Sequence, residues 1–156
     1  MSIFPTRILV ATDGSREAEL AVTTAADLTK STGSELHVVH VGELPLVYHP
    51  ERHAYRAEYE EHEREAQGLL EAQVERIKEA GATVTQAHLR MGRANARADE
   101  EIVELAQSID ARMIVMGSRG QGRLRRALLG SVSESVVRHA HCPVMIVRET
   151  APDPGW

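Results

Sequence analysis

The chain has 156 residues, the size of one ordinary domain, and its 42% hydrophobic and 26% charged residues are typical of a globular protein rather than a disordered one. Eighteen Lys and Arg against twenty-three Asp and Glu give a net charge of −5, which argues against nucleic-acid binding because that affinity depends on a basic surface. No apolar run has the length of a membrane span or of a signal peptide, and the single cysteine, Cys142, forms no internal disulfide, so we expect a cytoplasmic protein that does not bind membranes.

The first half of the chain alternates short apolar runs with helical periodicity. Residues 8–11 predict a first strand, and residues 12–15 form a turn cluster that ends in Ser15, a suitable helix N-cap. Apolar residues spaced for one helix face follow, and a glycine ends that helix. Residues 36–41 predict a second strand. The stretch 42–55 contains two prolines and predicts a long surface connection.

The second half continues the same alternation. It predicts further helices at residues 57–80, 98–109 and 132–139, and further strands at residues 83–91, 113–116 and 143–147. We interpret the acidic run at residues 58–65 as a solvated helix start favoured by the helix dipole. Residues 150–156 predict a flexible C-terminal tail, which leaves residues 1–149 as one domain.

Five strands with intervening helices predict an α/β fold, namely a single-domain, open, parallel five-stranded sheet with helices on both faces. Ligands bind such sheets beyond the carboxyl ends of the strands, where the strand order reverses. Three segments meet that condition: residues 13–15, residues 41–42 and residues 117–130. The third is the most informative.

The loop at residues 117–130 is rich in glycine and arginine. Its glycines let backbone N–H groups approach a ligand, and Gly130 with Ser131 delivers N–H groups at a helix start, where the dipole favours an anion. Four arginines and no acid lie in the loop, and we expect one or two of them, including Arg119, to contact phosphate. The loop therefore indicates a phosphate-bearing small molecule, with a plain connection as the alternative. Residues 131–134 also predict a capping box in which the Ser131 hydroxyl caps the helix.

Three other phosphate-binding patterns are excluded by the residues present. A Walker A loop needs a lysine beside Ser or Thr, but the only lysines, Lys30 and Lys78, lie in predicted helices. A Rossmann fingerprint follows the first strand, whereas these glycines follow the fourth. A response-regulator receiver needs an acidic pair after the first strand, and only Asp13 stands there.

The histidines do not indicate a metal site. His37 and His40 are three residues apart in a predicted strand, so their side chains face opposite sides of the sheet. His139, His141 and Cys142 are close in the sequence, but a helix-end histidine and a buried thiol explain them better than a bound metal.

The combined pattern resembles the universal stress protein family, in its ATP-binding branch. The family's nucleotide signature is G-x2-G-x9-G-[ST], and Gly117, Gly120, Gly130 and Ser131 stand at that spacing. The first strand with its turn, and residues 117–147, are also similar to the family. The resemblance implies a Rossmann-like fold of the adenine nucleotide alpha-hydrolase type, with strand order 3-2-1-4-5.

The resemblance also implies a site and a partner. Asp13 lies near the ribose and phosphates, and Val41 packs against adenine. The other implied contacts are Ala11 and Thr12 beside the base, Met116 and Gly117 beside the nucleoside, and Gly120, Gly130, Ser131 and Val132 at the phosphates. The implied cofactor is ATP or another adenine nucleotide with Mg²⁺ or Mn²⁺, held mainly by the phosphates near Asp13. A homodimer through the last strand, Val144–Val147, is implied as well.

The residues favour nucleotide binding with at most slow hydrolysis. Hydrolysis needs an oriented water and stabilised charge, and no base other than Asp13 is evident. We therefore expect a stress-response binding protein. The alternatives are a true nucleotide hydrolase or nucleotidyl transferase, and an interaction module that needs no nucleotide.

Overall fold

A computed structural model describes residues 1–44, 54–92, 98–118 and 129–149 of the chain. Within them the strands are β1 (Arg7–Ala11), β2 (Glu35–Glu43), β3 (Gln86–Gly92), β4 (Met113–Gly117) and β5 (Val144–Val147). The helices are α1 (Arg16–Thr32), α2 (Ala54–Glu79), α3 (Ala98–Ser108) and α4 (Ser131–His139). This order confirms the predicted alternation of strands and helices.

The five strands form one parallel sheet in the order β3-β2-β1-β4-β5, which confirms the expected fold class and strand order. β1 pairs with β2 on one side, where Val10 lies opposite Val38, and with β4 on the other, where Val10 lies opposite Val115. The strand order therefore reverses beside β1, because β2 and β3 lie on one side of it and β4 and β5 lie on the other. Parallel sheets bind ligands in the crevice at such a point, beyond the carboxyl ends of the strands.

Each face of the sheet has its own apolar core. In β1, Ile8 and Val10 pack in the core formed with α1 and α2, whereas Leu9 and Ala11 pack in the core formed with α3 and α4. A strand covered on both faces needs apolar side chains at every position, since successive side chains point to opposite sides. This requirement explains the unbroken apolar runs in the sequence.

The ends of α1 are as predicted. Ser15 is its N-cap, and the Ser15 hydroxyl accepts a hydrogen bond from the N–H of Ala18 at 3.3 Å. Gly33 ends the helix with a φ of 69°, in the left-handed region that favours glycine.

The predicted start of α4 was wrong. Gly130 is the N-cap and makes no side-chain capping bond, so Ser131 is the first helical residue rather than the cap. The physical reason lies outside the helix, because the Gly130 N–H donates to the carbonyl of Ser118 at 2.7 Å and fixes the turn one residue earlier. The hydroxyl of Ser133 then donates to the Gly130 carbonyl at 3.0 Å.

Two strand boundaries also differ from prediction. β2 runs two residues further than expected, through Gly42 and Glu43, so the irregular connection begins later. β3 begins at Gln86 rather than at residue 83, because the Thr85 N–H bonds to the Leu36 carbonyl at 2.8 Å before regular pairing starts. Among the described residues, none of the helices combines the length and the hydrophobicity that crossing a membrane requires.

Candidate functional site

A cavity of about 610 Å³ lies at the carboxyl ends of β1, β2 and β4, where the strand order reverses. Nine of the eleven residues predicted for the site line it. They are Ala11, Thr12, Asp13, Val41, Met116, Gly117, Gly130, Ser131 and Val132. The other two, Arg119 and Gly120, lie outside the described residues. The structure thus brings together three segments that are far apart in the sequence.

The turn after β1 forms one wall of the cavity. The Thr12 N–H donates to the carbonyl of Val39 at 3.0 Å, which continues the sheet pairing past the end of β1. The chain then turns at Gly14, whose φ of 77° is in the left-handed region. Oδ1 of Asp13 accepts the N–H of Ser15 at 2.9 Å. This bond orients the Asp13 carboxylate at the cavity, directly before the N-terminus of α1.

The N-terminus of α4 forms the opposite wall. The N–H groups of Ser131, Val132 and Ser133 have no acceptor within the described part of the chain, as is normal for the first turn of a helix. All three residues line the cavity. Unbonded N–H groups and the positive end of the helix dipole together favour a bound anion.

Ser118 connects the elements that hold this wall in place. Its N–H donates to the Val147 carbonyl at 3.0 Å, and its carbonyl accepts both the Gly130 N–H at 2.7 Å and the Ser133 hydroxyl at 2.8 Å. Its own hydroxyl donates to the carboxylate of Glu17, a residue of α1 that is only 7% exposed. These buried bonds fix α4 against β5 and α1.

Two glycines allow close packing around the cavity. A Cβ added to Gly117 would lie 3.0 Å from both the carbonyl carbon and the Cβ of Glu17, so β4 passes directly beneath the first turn of α1. A Cβ added to Gly42 would lie 2.7 Å from Sδ of Met91 and 2.9 Å from Cβ of Ala66. The absence of a side chain at Gly42 therefore lets α2 approach the end of β2.

The sequence did not predict the wall that α2 contributes. His62, Glu65, Ala66 and Leu69 of α2 line the cavity, next to Glu43 of β2. His62 Nδ1 lies 3.9 Å from a carboxylate oxygen of Glu65. The interpretation of residues 58–65 as a solvated helix start is therefore incomplete, since two of these residues also face the cavity. His62 precedes Ala66 by four residues and Glu65 precedes Leu69 by four residues, and this helical spacing was the available signal.

The two histidines of β2 have different surroundings, as predicted. Nδ1 of His40 lies 2.8 Å from the Thr12 carbonyl oxygen, beside the cavity. His37 instead stacks on His88 of β3, with ring centroids 5.4 Å apart. Burial lowers the pKa of His88, and the charges of His37 and Arg90 lower it further. Within the described ranges, no group of three or more His, Cys, Asp or Glu side chains is arranged to hold a metal ion.

Comparisons with known proteins identify relatives of this chain in sequence and in fold. The model of the universal stress protein family matches residues 5–148. A universal stress protein of Methanocaldococcus jannaschii is 33% identical over 144 residues, covering 92% of this chain and 82% of that protein. A universal stress protein solved in complex with cAMP has a TM-score of 0.65 at 26% identity, covering 93% of this chain and 98% of that one. The Archaeoglobus fulgidus protein in complex with dAMP has a TM-score of 0.61 at 28% identity, covering 93% and 99%.

Proposed function

The chain belongs to the universal stress protein family, and from that premise we propose that it binds an adenine nucleotide, ATP in the first place, in the cavity at the strand-order reversal. The observation that carries the proposal is the cavity itself, whose volume of about 610 Å³ lies within the usual range of small-molecule sites. One wall offers unbonded N–H groups at a helix start, which suits an anionic tail. Two related proteins are described in complex with cAMP and dAMP, which supports an adenine nucleotide as the ligand.

We assign the parts of the nucleotide to the walls of the cavity. The N–H groups of Ser131 and Val132 and the Ser131 hydroxyl bind the phosphates, and Asp13 lies near the ribose and phosphates. The residues proposed to pack beside the base and the nucleoside are Val41, Ala11, Thr12, Met116 and Gly117. Gly130, Gly120 and Arg119 complete the phosphate site.

Mg²⁺ or Mn²⁺ would be held mainly by the phosphates of the nucleotide. Among the described residues, no group of three or more His, Cys, Asp or Glu side chains is arranged to hold an ion, which is consistent with an ion held mainly by the nucleotide. Asp13 is the carboxylate at the phosphate end of the cavity, and a carboxylate oxygen suits a hard divalent ion. When bound, the ion would neutralise phosphate charge.

We assign the protein a regulatory binding role in the cytoplasm, with slow ATP hydrolysis at most. Multiple-turnover phosphate release that Asp13→Asn abolishes would instead identify a hydrolase.

We also propose that two copies pair through β5, because β5 is an edge of the sheet and all four of its residues are half-buried. Ile146→Arg should then shift the sedimentation coefficient from dimer to monomer.

Isothermal titration calorimetry with ATP, with and without Mg²⁺, tests nucleotide binding. The double variant Gly130→Val, Ser131→Ala adds bulk at the phosphate wall and removes its hydroxyl, so ATP binding should be lost while the far-UV circular dichroism spectrum is retained. Gly68→Ala is the control, since Gly68 is exposed in α2 and is not among the residues that line the cavity. Unchanged affinity in the double variant would exclude this wall as the phosphate site.

A further inference from the structure

We infer that His40 is a specificity-determining residue, whose Nε2 accepts a hydrogen bond from a donor group on the nucleoside part of the ligand. This inference rests on the proposed nucleotide binding. His40 is only 8% exposed, yet it lines the cavity. Buried polar atoms usually have a hydrogen-bond partner, so a nitrogen of His40 without one in the protein is a candidate to contact a ligand.

The bond to Thr12 determines which ring nitrogen is available. Nδ1 of His40 lies 2.8 Å from the carbonyl oxygen of Thr12, and a carbonyl only accepts hydrogen bonds, so Nδ1 carries the proton. In the uncharged ring, Nε2 then presents a lone pair and is an acceptor. The Thr12 carbonyl thus holds both the tautomer and the ring orientation.

Nε2 of His40 has no hydrogen-bond partner among the residues described here. It is also not sealed inside the protein, in contrast to Nε2 of His37, which is fully enclosed and lies 3.5 Å from a carboxylate oxygen of Glu35. His40 is among the residues that line the cavity, which is the space that a ligand would occupy. A ligand donor would satisfy this nitrogen.

Two carboxylates in the cavity lining are also hydrogen-bond acceptors. Glu43 and Glu65 contribute carboxylates, which only accept hydrogen bonds when ionised, and both line the cavity with His40. The α4 wall offers N–H donors instead. The cavity lining therefore combines N–H donors, which suit phosphates, with acceptors that suit the amine or hydroxyl groups of a nucleoside.

Calorimetric titration of AMP and three analogues identifies the donor. IMP replaces the exocyclic amine of the base with a carbonyl, whereas 2′-deoxy-AMP and 3′-deoxy-AMP each lack one ribose hydroxyl. We expect the wild-type protein to bind one of these analogues roughly 5- to 30-fold more weakly than AMP, since a buried acceptor loses its partner. Equal affinity for all four nucleotides would overturn the inference.

Two substitutions separate the roles of the ring nitrogens. His40→Asn keeps a donor for the Thr12 carbonyl but has no atom at the Nε2 position. We expect it to bind AMP roughly 5- to 30-fold more weakly and to lose the discrimination between AMP and the weak analogue. His40→Gln places an amide oxygen near the Nε2 position, so it should restore part of that discrimination.

His37→Asn is the matched control, because it also replaces a buried histidine of β2 but outside the cavity lining. It should retain the wild-type preference, and urea titrations of all variants report whether each is folded. A folded His40→Asn protein with wild-type affinities and preference would refute the role of His40. Failure of the wild-type protein to bind any nucleotide would refute the proposed function itself, which is a distinguishable result.

Discussion

Replacing Gly117 with alanine tests how closely β4 passes the first turn of α1. The new Cβ would lie 3.0 Å from two carbon atoms of Glu17 and 3.1 Å from the backbone nitrogen of Ala18. Carbon atoms prefer a separation of about 3.5–4.0 Å, so β4 and α1 must move apart by a few tenths of an ångström. The contacts are mainly with helix backbone, which cannot rotate away as a side chain could.

Overpacking of this kind costs about 1–3 kcal/mol of folding free energy. For a domain of this size each kcal/mol corresponds to about 2–4 °C in Tm, so the melting temperature should fall by about 2–12 °C. Gly117 also lines the cavity, and displacement of α1 should weaken ATP binding in the same variant.

Gly68→Ala provides a control with the same chemical change. A Cβ at Gly68 would meet nothing within 4 Å. Gly68 is exposed to solvent and lies in the middle of α2, away from both helix ends. Alanine should therefore stabilise the protein by about 0.5–1 kcal/mol. Urea titration followed by circular dichroism measures both changes. If Gly117→Ala has the same urea midpoint as the wild-type protein and binds ATP as tightly as the wild type does, the packing argument is wrong.

Three further predictions concern single side chains. Ser133→Ala removes the hydroxyl that donates to the Ser118 and Gly130 carbonyls. It should lower the free energy of unfolding, measured by urea titration, by about 1 kcal/mol. An unchanged urea midpoint would contradict this prediction. The pKa of His88 in the folded protein is below its ordinary value of 6.5. As the pH falls through 6.5, the unfolded chain therefore binds more protons than the folded protein does. Stability should therefore decrease from about pH 7.5 to about pH 5.5, and His88→Gln should weaken this dependence. Burial raises the pKa of the Cys142 thiol, so at equal pH it should react with a thiol reagent more slowly in the folded protein than in urea, and equal rates would count against it.

The parts of the fold that could be predicted depend on local pattern. Residues 8–11 are continuously apolar because β1 is covered on both faces, and that run identifies a buried parallel strand without any tertiary information. The limits of α1 follow from Ser15 and Gly33, whose chemistry suits a helix start and a left-handed helix end.

The features that could not be predicted depend on contacts between distant residues. The start of α4 at Ser131 is set by the bond between Gly130 and Ser118, and a capping pattern read locally cannot include that bond. His40 reaches the Thr12 carbonyl only because β2 pairs with β1 in one particular register. Likewise, Glu65 lines the cavity because of how α2 lies across β2, which helical spacing alone does not determine.

The bonds made by Ser118 have a consequence for how this protein could change over time. The N–H of Gly130 lies 2.7 Å from the carbonyl oxygen of Ser118, so this bond closes the segment of chain between the two residues. Doubling the length of a closed segment costs only about 0.6 kcal/mol of entropy. The strand framework should therefore tolerate a change in the number of residues between these two anchors at little cost in folding free energy.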